Sequence, residues 1–236
     1  MKLRRLPETD LARIAPLAPD EKRRQLRSFN SGGGSWSYDP ARAQNFNIAN
    51  PINPLGLHSE RPTLETIQRL VIAQCTCEQQ QASCIEVVEL FDSWYQNNAT
   101  ISVERQIPSM PIGSLGVIRY WENFAAIIEG RGTFIFVDYR RKKYLTSLAR
   151  KFVFSMMHQQ IRMTDPDFYD ANLAIVRFPQ VDKVTRSILP YFVNDDDLYS
   201  LSELNAMIDE TYSIWMEVLD ERRTSEPKRA AGGGLF

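Results

Sequence analysis

The alternation of hydrophobic and polar positions is most legible over residues 132–179. Residues 134–137 (FIFV) form a short apolar run closed by a polar, basic turn, Asp138 to Lys143, which predicts a buried strand. Leu145, Leu148, Phe152, Met156 and Gln159 then recur at helical spacing, and apolar positions spill onto Val153, Phe154 and Met157. This pattern predicts a helix packed on more than one face, stopped by Asp165-Pro166-Asp167. Residues 172–178 (NLAIVRF) supply a second strand. Strand, helix and strand of these lengths form what a parallel crossover requires.

The flanks are read in the same way. Leu11, Ile14 and Leu17 suggest a helix that Pro16 and Pro19 cut short, and a second helical turn spans 20–29. Residues 30–35 (NSGGGS) read as a flexible linker, followed by an irregular, Asn- and Pro-rich stretch to Leu57. Thr63 caps a helix carrying Leu64, Ile67 and Val71, and Ser83-x-x-Glu86 reads as a capping box for a second helix, with residues 75–81 as the break. Residues 100–107, 116–128 and 133–137 then read as a three-stranded meander, and residues 186–193 as an edge strand because of Pro190. A second capping box, Ser200-x-x-Glu203, precedes a helix with Leu201, Leu204, Ile208, Trp215 and Leu219 on one face, ending near Arg222.

These elements predict an α+β fold with helices packed on a central mixed β-sheet, an irregular N-terminal arm and a flexible C-terminal tail. The divisions fall at 1–60 for the arm, 61–223 for the core domain and 224–236 for the tail. Phe134, Phe136, Phe152, Met156, Leu173, Ile175, Leu204 and Trp215 are the expected core.

Composition narrows the class. Hydrophobic residues make up 43% of the 236, with 12 Phe, 9 Tyr and 4 Trp, enough to fill a core. The net charge of −1 carries no global footprint of a nucleic-acid binder, and direct nucleic-acid contact is not expected from it. Charge is nevertheless uneven: residues 1–30 hold eight Lys/Arg against four acids, while acids dominate from Asp195 onward. With no apolar run of membrane-spanning length and no signal-like segment, a cytoplasmic location is expected. Cys75, Cys77 and Cys84 lack a zinc spacing and read as buried free thiols, and His58 and His158 stand in no metalloenzyme pattern, so neither metal nor cofactor is expected.

Candidate chemistry is sparse. The order of elements is similar to a restriction-nuclease-like core, with Asp138 where a metal-binding acid would stand. The D-x-K pair, however, reads Asp138-Tyr139-Arg140. Arg140, Arg141, Lys142 and Lys143 form either a solvated turn or a phosphate- or partner-binding patch. Gly32-Gly33-Gly34 is followed by Ser-Trp and is no phosphate loop, and no nucleophile elbow or dinucleotide fingerprint occurs. No catalytic residue is assigned, and an enzyme is not expected. Two short segments stand out instead. Gln25-Leu26-Arg27-Ser28-Phe29 approaches the Q-L-x-L-F pattern by which bacterial proteins dock into the groove of the DNA polymerase sliding clamp, and Leu235-Phe236 ends the chain behind a glycine tether.

Residues 37–43 (SYDPARA), 137–162 with 165–168, and 198–219 together resemble the SocB family of DNA-replication-inhibitor toxins of type VI toxin–antitoxin systems. The most specific part runs through Arg140, Arg141, Leu145, Thr146, Arg150 and residues 152–158 (FVFSMMH). The resemblance implies a toxin that binds the sliding clamp through a Q-x-x-L-F-like peptide, competes with replication proteins and blocks elongation. It further implies an antitoxin that acts as a proteolytic adaptor to the ClpXP protease. In such relatives the peptide lies soon after the S-Y-D/N-P segment. Here that region reads NIANPINPLGL, where Leu55 keeps the Leu, Gly56 replaces the Phe and Ile52 the Gln. The candidates for clamp contact are thus Gln25, Leu26 and Phe29 and, equally ranked, Leu235 and Phe236, with Leu55 behind both. A diverged nuclease-like protein that binds or cuts nucleic acid is the alternative.

Overall fold

The structure is a computed structural model that describes residues 5–29, 36–57, 59–112, 116–182 and 185–225. Eight α-helices occur among them: α1 (Glu8–Ile14), α2 (Pro19–Ser28), α3 (Asp39–Arg42), α4 (Asn45–Ala49), α5 (Leu64–Gln74), α6 (Glu78–Asn98), α7 (Ser147–Met157) and α8 (Leu201–Ser225). The strands are β1 (Ala99–Glu104), β2 (Met110–Pro111), β3 (Val117–Ile118), β4 (Phe124–Ile128), β5 (Arg131–Asp138), β6 (Asn172–Arg177) and β7 (Leu189–Phe192). A five-stranded sheet runs in the order β1-β4-β5-β6-β7, and β2 and β3 form a separate small hairpin. All neighbours in the large sheet are antiparallel except β5 and β6, which are parallel and joined through α7, so the expected crossover is present. β7 lies at the edge with Pro190 in it, as its missing N–H favours.

The period of two along β5 and β6 sorts side chains into two cores. Phe134, Phe136, Leu173 and Ile175 face one layer, where they meet Leu11, Leu26, Phe152, Met156, Leu204 and Trp215 from α1, α2, α7 and α8. Ile135, Val137, Ala174 and Val176 face the other, against Ile67, Val71, Val88 and Phe91 of α5 and α6. All eight expected core residues are buried. Both strands are therefore covered on two sides, which explains why they read as continuous apolar runs instead of alternating ones.

Several sequence expectations are corrected in detail. The break between α5 and α6 is shorter than the sequence suggests, because α6 already begins at Glu78. Gln80 locks that start: its Oε1 accepts from the backbone N–H and the hydroxyl of Thr76, at 2.8 and 2.9 Å, and its Nε2 donates to the Ser37 carbonyl at 2.8 Å. Ser83 is consequently a buried residue inside the helix and not a cap. The strand expected over 116–128 divides into β3 and β4, since Tyr120 and Trp121 are consecutive and both buried in the same core. A continuous strand would send them to opposite faces. Leu148, placed on the buried stripe of α7, is 47% exposed, the packed face having rotated onto Ala149, Phe152, Val153 and Met156. Of the three free thiols only Cys84 is buried, while Cys77 is exposed. The stretch before Leu57, expected to be irregular, carries the short helices α3 and α4, which place Ala41 and Ile48 in the second core.

Thr63 and Thr146 cap α5 and α7 by accepting from the N–H of Thr66 and Ala149. The Ser200–Glu203 box is reciprocal, with Ser200 N–H donating to Glu203 Oε2 at 2.7 Å and Glu203 N–H donating to Ser200 Oγ at 3.3 Å. Residues 5–29 pack into the first core through α1 and α2: Leu6, Leu11, Ile14 and Leu26 are buried there. No described helix is long and apolar enough to cross a membrane.

Candidate functional site

Three segments compete for the docking role, and their environments differ sharply. In the first, Leu26 is fully buried and Phe29 packs edge-on against Trp215 of α8, with ring centroids 5.7 Å apart. Gln25 Nε2 donates to Glu21 Oε1 at 3.1 Å, within the helix. Arg222 of α8 clamps the end of α2 by donating to the carbonyl oxygens of Leu26, Arg27 and Phe29 at 2.9, 2.9 and 2.8 Å. As folded, this segment holds Leu26 inside the protein and Phe29 half-buried against Trp215. Leu235 and Phe236 lie outside the described residues.

The third segment is a closed loop on the open edge of the sheet. α4 ends in Asn50, whose left-handed backbone (φ 41°) turns the chain, and whose Nδ2 donates to the Ser59 carbonyl at 3.0 Å across the base of the loop. Ile52 then docks alongside β1 as a one-residue parallel bridge: its N–H donates to Ser102 O at 2.9 Å, and its carbonyl accepts from Glu104 N–H at 2.8 Å. Asn53 organises the tip of the loop, its Oδ1 accepting from the N–H of both Leu55 and Leu57 at 2.9 Å. Gly56 adopts φ +75°, a conformation open to glycine at little cost, and its N–H donates to the Asn53 carbonyl at 2.9 Å. The outcome is a short, hydrogen-bonded turn carrying two leucines outward, Leu55 at 84% and Leu57 at 65% exposure. Beside it a cleft of about 380 Å³ opens among Ile52, Arg61, Tyr95, Gln96 and Ile101.

Leu57 is not among the sequence candidates, and the fold brings it out beside Leu55. Its signal was present as Leu55-Gly56-Leu57, two large apolar residues around a glycine and two and four residues after an Asn able to accept from both backbones.

The basic run is less free than it reads. Arg140 forms a bidentate pair with Asp10, at 2.8 and 3.0 Å, and Arg141 lies 3.4 Å from Glu86. Lys142 and Lys143 remain exposed. Asp138 is buried, and its two carboxylate oxygens accept from the N–H of Arg140 at 3.2 Å and of Leu145 at 2.9 Å. Burial pushes its carboxyl above the usual range, against these bonds and the charges of Arg140 and Arg177, which pull it down. It thus closes the turn between β5 and α7, and among the described residues no group of three or more His, Cys, Asp or Glu is placed to hold a metal ion.

A family model described as "Sliding clamp-binding bacterial toxin SocB" matches residues 9–225. The DNA replication inhibitor toxin SocB of Caulobacter vibrioides (strain NA1000 / CB15N) is 34% identical over 240 residues, which cover the whole of this chain and 99% of that relative. No solved structure matches. With a match over nearly all of its length in both comparisons, the chain belongs to the SocB family of sliding clamp-binding bacterial toxins.

Proposed function

We propose that this protein inhibits DNA replication by seating Leu55 and Leu57 in the apolar groove of the DNA polymerase sliding clamp, where it excludes replication proteins that use the same groove. The carrying observation is the exposure of Leu55, at 84%, on a turn whose backbone is already fixed by Asn53 and by the Ile52 bridge. A docking peptide normally loses conformational freedom on binding, and a turn fixed beforehand loses less. Burying two leucines yields about 3–6 kcal/mol gross at roughly 1.5–3 kcal/mol each. Micromolar affinity corresponds to about −8 kcal/mol, so the remainder falls to backbone contacts along residues 51–57 and to the neighbouring edge of β1. Relative to Q-x-x-L-F, Leu57 takes the second apolar place left open by Gly56, one residue later in the chain.

The same reading includes a cognate antitoxin that delivers the protein to ClpXP, as the family resemblance implies.

The test is clamp binding and growth arrest measured with Leu55→Ala, Leu57→Ala and the double variant, each with its fold checked by circular dichroism. Loss of both activities in a folded double variant is expected. A double variant that still binds and still kills would remove the loop from the mechanism. Metal-dependent nicking of DNA by the purified protein, lost in Asp138→Asn, would overturn the non-enzymatic reading itself.

A further inference from the structure

The carboxyl end of the two parallel strands carries a positive cluster that the docking loop does not use. β5 ends at Asp138 and β6 at Arg177, paired in register, and α7 begins just beyond with Thr146 as its cap. Ligand sites in open α/β sheets lie at this end of the strands. The Arg177 guanidinium lies 3.8 Å from the centroid of the Tyr144 ring, and its Nη1 is 3.5 Å from the Tyr191 hydroxyl. The Arg150 guanidinium stacks on the other partner, Tyr191, at 3.9 Å, and its Nη1 folds back to donate to the Leu145 carbonyl at 3.2 Å. Two guanidiniums therefore share one tyrosine beside the first turn of α7.

Their acidic neighbour does not complete them. The Arg177 side chain is only 7% exposed, yet its buried Nε has no hydrogen-bond partner, and the nearest carboxylate oxygen, Asp138 Oδ2, is 3.9 Å away. That carboxylate is occupied by two backbone N–H groups. α7 has no acid in its first turn, and the amides of Ser147 and Leu148 have no acceptor within the helix. Lys142 and Lys143 are exposed immediately before Tyr144, whose ring is itself partly exposed, the residue standing at 45%.

We propose that this surface binds a strand of nucleic acid: one backbone phosphate sits between Arg150 and Arg177 at the start of α7, the neighbouring phosphate contacts Lys142 and Lys143, and a base stacks on Tyr144. A phosphate suits the site better than a carboxylate, which a single bidentate guanidinium satisfies, because two guanidiniums and a helix N-terminus converge here. Cations interleaved with an exposed aromatic ring are the combination that holds single strands without sequence preference. The net charge of −1 governs the long-range field, whereas this site acts at contact distance.

Topology relates this surface to the loop at the edge of β1. β1 and β5 are each antiparallel to β4, so the ends of β1 and β5 at Glu104 and Asp138 lie at the same end of the sheet. Ile52, β1, β4, β5 and β6 are successive neighbours, so at about 4.8 Å spacing the bridge at Ile52 lies about 14–19 Å from β5 and β6 measured across the sheet.

The experiment is fluorescence anisotropy of the full chain with a labelled single-stranded oligonucleotide over a salt series, with a duplex, a mononucleotide and inorganic phosphate as competitors. Two phosphate contacts predict a slope of log affinity against log salt of about −1.4 for a single strand, falling toward about −0.7 in Lys142→Ala/Lys143→Ala. Arg150→Gln should weaken binding at least tenfold, and Tyr144→Leu severalfold. The exposed lysine pair keeps the test decisive even where Arg150→Gln fails to fold. No oligonucleotide binding, or binding indifferent to the lysine pair and to a folded Arg150→Gln, overturns the proposal. Inorganic phosphate or a mononucleotide held without any oligonucleotide affinity overturns the strand as the ligand, and loss of clamp affinity in the lysine variant would identify an acidic protein partner instead. Failure here leaves the loop reading intact, since the lysine variant should bind the clamp as the wild type does.

Discussion

Leu26→Ala set beside Leu55→Ala separates packing from docking. Leu26 is fully buried in the core that α2 shares with α8, under a helix end fixed by three hydrogen bonds from Arg222. Truncating it removes three buried carbons and leaves a cavity that a clamped helix end cannot close, so the cost should fall at about 2–5 kcal/mol. For a chain of this size each kcal/mol corresponds to about 2–4 °C, which puts the fall in melting temperature at about 4–20 °C. Leu55 makes no comparable contact, and its truncation should stay within about 0.5 kcal/mol of wild type. The assay is thermal unfolding together with urea titration, which should show a lower midpoint at unchanged slope for Leu26→Ala. Clamp affinity measured well below the melting temperature should be kept in Leu26→Ala and lost in Leu55→Ala/Leu57→Ala. The opposite pattern, an unchanged melt with lost clamp binding in Leu26→Ala, would mean that the end of α2 leaves the core to dock and would refute the assignment of the loop.

Three further predictions rest on the same geometry. Phe152→Ala, at a fully buried position whose ring meets Tyr120 edge-on, should cost about 3–5 kcal/mol in urea unfolding, and an unchanged midpoint would contradict the packing of α7 on the sheet. Ser200→Ala should cost about 0.5–2 kcal/mol and lower the protection of the first amides of α8 from hydrogen exchange, and equal exchange in both proteins would count against the capping box. Burial pushes the Glu122 carboxyl above its usual range, against a hydrogen bond from Asn45 and the charges of Arg42 and Arg119. The native state then binds the proton more tightly than the unfolded one, so this contribution is full below about pH 4.3 and is lost as pH rises through the higher native value. Glu122→Gln should flatten the decline of urea midpoints across that window without abolishing it, because Asp138 is shifted in the same direction; an unaltered pH profile would refute the shift.

Near-neighbour chemistry made a large part of this protein readable from its sequence alone. The crossover of β5, α7 and β6 was legible because two apolar runs, one helical period and a polar turn all sit within about fifty consecutive residues, and the caps at Thr63 and Ser200 because a cap is a contact over three positions. The eight core residues followed from the same periods, which state which face is apolar without stating what covers it. Family membership was legible for a related reason, as the motif that carries the resemblance, within residues 140–158, is a run of near neighbours along the chain. What the sequence could not resolve depends on contacts between distant segments. As strings, Gln25-Leu26-Phe29 stands ahead of Leu55; in the fold α8, nearly 200 residues away, packs over Leu26 and half-buries Phe29, while the turn at the edge of β1 holds Leu55 out. The start of α6 was set by Ser37 through Gln80, and the interruption after β3 by two adjacent aromatics that one core takes up together. Arg150 and Arg177 are ordinary charged positions in a helix and at a strand end, and only the packing of α7 on the sheet and the antiparallel pairing of β6 with β7 bring them to the same tyrosine. Local spacing decides which segments form and which faces are apolar, while the partner that each face meets is decided when the layers close and water leaves between them.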